Sequence, residues 1–124
     1  MTLHTTPVLL IDDHDDVREG LRMILERDGW IVEATRDPRV ALNKLVGGLR
    51  PCIILMDLMS PTMNGAEFQR ELTSDRQFRR IPMVAYSGLK DVRAKAQQVD
   101  VDAACDLPAE LERVLAAVRQ HCPA

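Results

Sequence analysis

Lysine is scarce in this chain: of 16 basic residues only Lys44, Lys90 and Lys95 are lysines, and none follows Lys95. No apolar run approaches the roughly 20 residues needed to cross a bilayer, which excludes a helical membrane span. The opening "MTLHTTP" has neither the basic start nor the apolar middle of a signal peptide, so a cytoplasmic protein is expected. With 16 basic against 19 acidic residues the formal charge is −3, and no basic excess exists to neutralise a phosphate backbone. Nucleic acid is therefore not the expected partner. The three cysteines, Cys52, Cys105 and Cys122, are odd in number, widely spaced and without a Cys-x-x-Cys. That pattern suits a reducing compartment and offers neither a disulfide framework nor a zinc site. Cys52 and Cys105 are expected as small core residues and Cys122 as an exposed thiol. Internal repeats and low-complexity segments are also missing. What remains is 124 residues with an ordinary apolar share of 46%, enough for one core and no more.

The apolar residues are grouped, and the grouping gives the fold. "VLLI" (Val8–Ile11), "CIILM" (Cys52–Met56) and "MVAY" (Met83–Tyr86) are short continuous runs, the signature of strands buried on both faces. "WIVEAT" (Trp30–Thr35) and "AACDL" (Ala103–Leu107) are shorter or more polar and suit sheet edges. Between them the period is helical. Val17, Leu21, Ile24 and Leu25 share one face, ended by Asp28-Gly29. Pro38 fits the first turn of a second helix that Gly47-Gly48 would end. Ala66, Gln69 and Leu72 mark a third helix; Val92, Ala96 and Val99 a short polar one; Leu111, Val114, Leu115 and Val118 a C-terminal one. Five β-α units predict an α/β domain with a parallel sheet in order 2-1-3-4-5, a doubly wound, flavodoxin-like arrangement.

In such sheets ligands bind at the carboxyl ends of the strands. Asp12 and Asp13 end the first strand, Asp57 ends the third and Ser87 the fourth, so all four should meet at one edge. Three carboxylates with no nearby Lys or Arg make a poor ion-pair cluster but a good hard-cation site. Magnesium suits a few carboxylates plus waters and a substrate phosphate; calcium wants more oxygens and zinc wants His or Cys. The competing reading makes Asp12 and Asp13 caps of the first helix, a role that fits Asp15 and Asp16 in the positive first turn better. His14, beside the acidic pair, is read as a surface residue at a helix start, and His4 as part of a tail. Arg76, Arg79 and Arg80 form a solvated face.

The motifs "LLIDDHDDVREGL", "ILMDLMSPTMNG" and "MVAYSG" resemble those of response-regulator receiver domains of two-component signalling, from about Pro7 to His121. The resemblance implies a domain over 7–121, with 1–6 and 122–124 as tails. It implies that Asp57 accepts a phosphoryl group from a histidine kinase or phosphotransfer protein. It also implies that Mg2+ is bound by Asp13, Asp57 and the backbone carbonyl of Met59, with Asp12 helping through water, and that the Ser87 hydroxyl turns toward the phosphoryl group. The residues fit those roles. Gly88 leaves space beside Ser87, and Pro61 and Gly65 would fix the loop after Asp57. Met59 and Leu89, two positions after Asp57 and Ser87, are apolar and would not activate an attacking water, so slow self-dephosphorylation is expected.

Two departures fall together on the last strand. Where the family carries a Lys before a Pro, this chain has Leu107 before Pro108, and the usual aromatic three positions earlier is Ala104. Lys90 is one candidate to replace the missing ammonium, against a plain solvated lysine. Tyr86 is one candidate for a displaced aromatic switch, against packed core. The leading reading is a stand-alone receiver, not an enzyme beyond its own phosphorylation and dephosphorylation. It is expected to be a monomer or weak dimer that signals through the Val92–Val99 region, the last strand and the C-terminal helix, or relays phosphate. The alternative is a pseudo-receiver that binds partners without phosphorylation. An aspartyl phosphatase would need Asp-x-Asp on the first strand and a cap segment. A flavin-binding protein would need a Ser/Thr-rich loop where this chain has acids.

Overall fold

The three continuous apolar runs become the interior of one parallel sheet. The computed structural model describes residues 6–58, 63, 65–87 and 103–123. Strands β1 (Val8–Ile11), β2 (Val32–Thr35), β3 (Ile53–Asp57), β4 (Met83–Ser87) and β5 (Ala103–Asp106) pair in order β2-β1-β3-β4-β5, as the sequence predicts. Every residue of β1, β3 and β4 is buried. The described helices are α1 (Asp15–Arg27), α2 (Pro38–Val46), α3 (Gly65–Thr73) and α4 (Leu111–His121). The helix predicted around Val92–Val99 lies outside the described residues, as do His4, Met59, Pro61, Gly88, Leu89 and Lys90.

The period of two along each strand divides the core into two layers. Val8, Leu10, Ile53, Leu55 and Val84 face α1 and α4, where Leu21, Leu25, Val114 and Val118 cover them. Leu9, Ile11, Ile54, Met56 and Ala85 belong to the other layer, closed by Ala41 and Leu45 of α2 and Phe68 and Leu72 of α3. Full burial of each such aliphatic chain is worth about 1.5–3 kcal/mol, so the sheet interior dominates the stabilisation.

Helix limits follow local chemistry. The Asp37 side chain caps α2 by accepting the Arg39 N–H, Pro38 occupies the first turn, and Gly47 ends the helix with Gly48 at φ 119°. Asp15 and Asp16 sit in the first turn of α1, where the helix dipole favours them, and Asp28 ends it before Gly29 at φ 93°.

Three expectations need correction. β2 begins at Val32 and not at Trp30; the Trp30 indole is instead buried in the α1–α4 layer. β3 begins one residue later than predicted, after Cys52. That shift matters because Cys52 is disulfide-bonded to Cys122, 70 residues away, with Cα atoms 5.0 Å apart. Cys122 is buried and bonded, not an exposed thiol, and Cys105, buried in β5, is not part of a disulfide. The reason is topological. All parallel strands start at one edge of the sheet, and the helix after β5 runs back toward that edge, bringing its end beside the start of β3.

Candidate functional site

Parallel pairing without slippage sends every strand end to the same edge. Ile11 lies opposite Met56 and Thr35, Asp57 opposite Tyr86, and Ser87 opposite Asp106. The residues that follow or close these strands, Asp12, Asp13, Asp57 and Ser87, therefore gather around one cavity of about 840 Å3. Its acidic end also carries His14 and Tyr86, and its apolar wall is built from α1 and from Leu107, Pro108 and Leu111. Asp12, Asp57 and Ser87 are buried, whereas Asp13 is partly exposed.

Buried like charges require compensation, and the structure supplies three kinds. The Tyr86 hydroxyl, itself buried, donates to Asp12 Oδ2 at 2.6 Å. Burial first, then the negative charge of Asp12, pushes the Tyr86 phenol far above its usual range, so it stays a donor. The backbone N–H of His14 donates to Asp12 Oδ1 at 2.8 Å, which turns the chain from β1 into α1. Arg18, one turn into α1, donates to the Asp12 backbone carbonyl at 2.8 Å and to Asp15 Oδ1 at 2.7 Å. A cation thus stands near the cluster, contrary to the sequence reading, but it engages the Asp12 main chain and not its carboxylate. Asp12 is no helix cap in the expected sense: His14 holds the N-cap position of α1, without a side-chain cap bond.

His14 is the larger surprise. Its Nδ1 lies 3.1 Å from Asp57 Oδ2, 3.2 Å from Asp12 Oδ1 and 3.4 Å from Asp13 Oδ1. The hydrogen bond to Asp12 raises the imidazole pKa above its ordinary value; partial desolvation opposes this, and the charges of Asp13, Asp12 and Asp57 reinforce it. One ligand atom from each of Asp12, Asp13, His14 and Asp57 lies within 4.8 Å of all the others. Among the described residues Asp13 Oδ1 is buried without a hydrogen-bond partner, since its approach to His14 falls outside hydrogen-bonding geometry. An orphaned carboxylate oxygen, in a set of oxygen donors this close together, fits a divalent cation.

The two departures on the last strand are visible as well. Leu107 is partly buried and lines the cavity, so an apolar side chain stands on the wall where the resemblance leads one to expect an ammonium. Ala104 is half-buried against the α2–α3 layer and presents no ring. Tyr86 belongs to the core, as the packed reading held, yet its hydroxyl also serves the site. The signal for that was weak: the alternation along β4 puts Tyr86 on the same face as Val84, but not its hydroxyl on Asp12.

Known proteins share the family and the fold of this chain. A family model described as response regulator receiver domain matches residues 8–119. The response regulator MprA of Mycolicibacterium vanbaalenii is 33% identical over 114 residues, covering 90% of this chain and 48% of the relative. The response regulator Rre1 of Synechocystis sp. is 30% identical over 115 residues, covering 90% of this chain and 49% of the relative. The chain thus spans about half the length of the curated relatives it matches, and those relatives are named as regulators, not enzymes. Among solved structures, the receiver domain of a sensor histidine kinase from Pseudomonas aeruginosa, with magnesium coordinated in its active-site cleft, is similar. Its TM-score is 0.77 at 26% identity, covering 90% of this chain and 95% of that one. The chemotaxis response regulator CheY4 of Vibrio cholerae, at TM-score 0.79, 24% identity and coverage of 96% and 98%, shares the fold. With a family match that runs from the first residue of β1 into α4, the chain belongs to the response regulator receiver domain family.

Proposed function

We propose that this chain accepts a phosphoryl group on Asp57 from a histidine kinase or phosphotransfer protein, in a Mg2+-dependent reaction, and signals by protein contact or onward relay. The observation that carries the reading is the meeting of Asp12, Asp13, Asp57 and Ser87 around one cavity at the carboxyl edge of the sheet. Asp13 and Asp57 would hold the cation directly, with Asp12 through water and the Met59 carbonyl completing the set. Bound there, Mg2+ supplies positive charge that offsets repulsion between the carboxylates and phosphoryl oxygens.

The remaining work belongs to the chain's own residues. An Asp57 carboxylate oxygen attacks the phosphorus of a phosphohistidine. A P–O bond forms while the P–N bond breaks, and the electron pair leaves on the donor's imidazole nitrogen. Ser87 donates its hydroxyl to a phosphoryl oxygen. Tyr86 and the His14 backbone N–H, each donating to one Asp12 carboxylate oxygen, hold Asp12 in its orientation. Leu107 supplies no charge, so the phosphorylated state has one stabilising contact fewer than is usual for the family. Output runs through β5, α4 and the segment 92–99, from a receiver unit that takes in Cys122, whose disulfide to Cys52 departs from the reduced, cytoplasmic thiols that the cysteine pattern led one to expect. No helix among the described residues is long and apolar enough to cross a membrane.

A pseudo-receiver that binds partners without phosphorylation is the second reading, favoured by Leu107 and Ala104. Incubation with acetyl phosphate and Mg2+ separates the two. The leading reading expects an acid-stable, hydroxylamine-labile acyl phosphate and a retarded band on a phosphate-affinity gel. A protein that binds Mg2+ yet stays unmodified would select the pseudo-receiver.

A further inference from the structure

We propose that His14 is a fourth protein donor at the acidic site and makes it prefer a nitrogen-accepting divalent cation such as Co2+, Ni2+ or Zn2+ over Mg2+. This rests on reading Asp12, Asp13 and Asp57 as a cation site. Distances within the cluster point to it. Donors at right angles around an ion with bonds of about 2.1 Å lie about 3.0 Å apart, and in a tetrahedron about 3.4 Å. His14 Nδ1 stands 3.1 Å from Asp57 Oδ2 and 3.4 Å from Asp13 Oδ1, the two carboxylates read above as direct ligands, which is the spacing of neighbours around one centre; Asp12 Oδ1 lies 3.2 Å from the same nitrogen.

The placement of the ring points the same way. The His14 backbone is anchored by its N–H on Asp12 Oδ1, so the imidazole projects from a fixed point at the start of α1. The ring is 60% exposed and is not locked into the core. It can therefore settle on an ion without disturbing packing. The donor set is also suited to an ion. Asp13 Oδ1 is buried and orphaned, so the cluster still has an oxygen to give. Three carboxylates alone form the hard oxygen set that suits Mg2+. Adding one imidazole favours first-row transition ions, whose affinity for mixed N/O sites rises from Mn2+ toward Cu2+ and stays high at Zn2+.

The rival explanation treats His14 as an internal counter-charge that must leave before any cation enters, and the two predict opposite effects of removing it. The test titrates the full chain with Mg2+ and with Co2+ by calorimetry, in wild type, His14→Ala and His14→Asn. Visible absorption and hyperfine-shifted proton NMR follow the cobalt form. The expected result is that both variants lose Co2+ affinity by at least the roughly 10–100-fold that loss of an outer-shell partner costs. Their Mg2+ affinity should stay within about threefold, and the wild-type cobalt form should show an exchangeable, shifted imidazole N–H that His14→Ala lacks. Equal affinity changes for both ions, a gain of both on removing His14, or no change would overturn the proposal. If folded wild type binds neither ion, the cation site itself is lost, and with it the magnesium dependence proposed above.

Discussion

Replacing Cys52 and Cys122 by serine opens a covalent loop of 70 residues. Closing a loop of that length removes about 15 cal/mol/K from the unfolded ensemble, or about 4.4 kcal/mol at 25 °C. The entropy of unfolding for 124 residues is about 0.26 kcal/mol/K near 60 °C. The bond should therefore raise Tm by about 17 °C, with native-state strain or residual unfolded structure able only to reduce that figure. The assay is thermal unfolding by circular dichroism, with and without reductant, for wild type and the double variant. Thiol titration in denaturant checks the premise: one reactive thiol, Cys105, in the untreated protein and three after reduction. Because the bond lies at the edge where strands start, opposite the carboxylates, cation affinity of the double variant should match wild type. Three thiols in the untreated protein, or a Tm that reductant moves by less than about 2 °C, would refute the reasoning.

Other outcomes are equally specific. Tyr86→Phe removes the hydroxyl that donates to Asp12 Oδ2 and should cost about 1.5–3 kcal/mol, read as a lower urea midpoint at unchanged slope by the fluorescence of the single, buried Trp30. Leu107→Lys places an ammonium on the cavity wall and should speed phosphorylation by acetyl phosphate about tenfold or more, measured as an initial rate. Loss of Leu107 packing should also lower stability slightly. Once phosphorylated, wild type should lose phosphate over minutes to hours, because Met59 and Leu89 offer an attacking water nothing to hold; a half-life of seconds would contradict this.

The fold was legible because its strands are buried on both faces and so appear as uninterrupted apolar runs. Pro38, Gly29 and Gly47-Gly48 punctuate the helices for backbone reasons that do not depend on tertiary context. Strand limits were less legible, since Trp30 and Cys52 are as apolar as true strand residues and only the ladder decides. Placement of Asp12, Asp13, Asp57 and Ser87 followed from topology alone. What stayed hidden depends on side-chain reach. Nothing local tells that Tyr86 spans β3 to meet Asp12, that Arg18 turns back to the Asp12 carbonyl, or that the His14 ring swings over the carboxylates. The Cys52–Cys122 bond was hidden for another reason. An odd count of distant cysteines is a poor sign of a disulfide, and the two meet only because strand starts and the end of α4 share one edge of the sheet.

The most direct test of the account is intact-mass spectrometry after incubation with Mg2+ and acetyl phosphate, on wild type beside Asp57→Asn. The account predicts the gain of one phosphoryl group in wild type, dependent on Mg2+, and none in the variant. An unmodified wild type, or a variant modified equally, would contradict it.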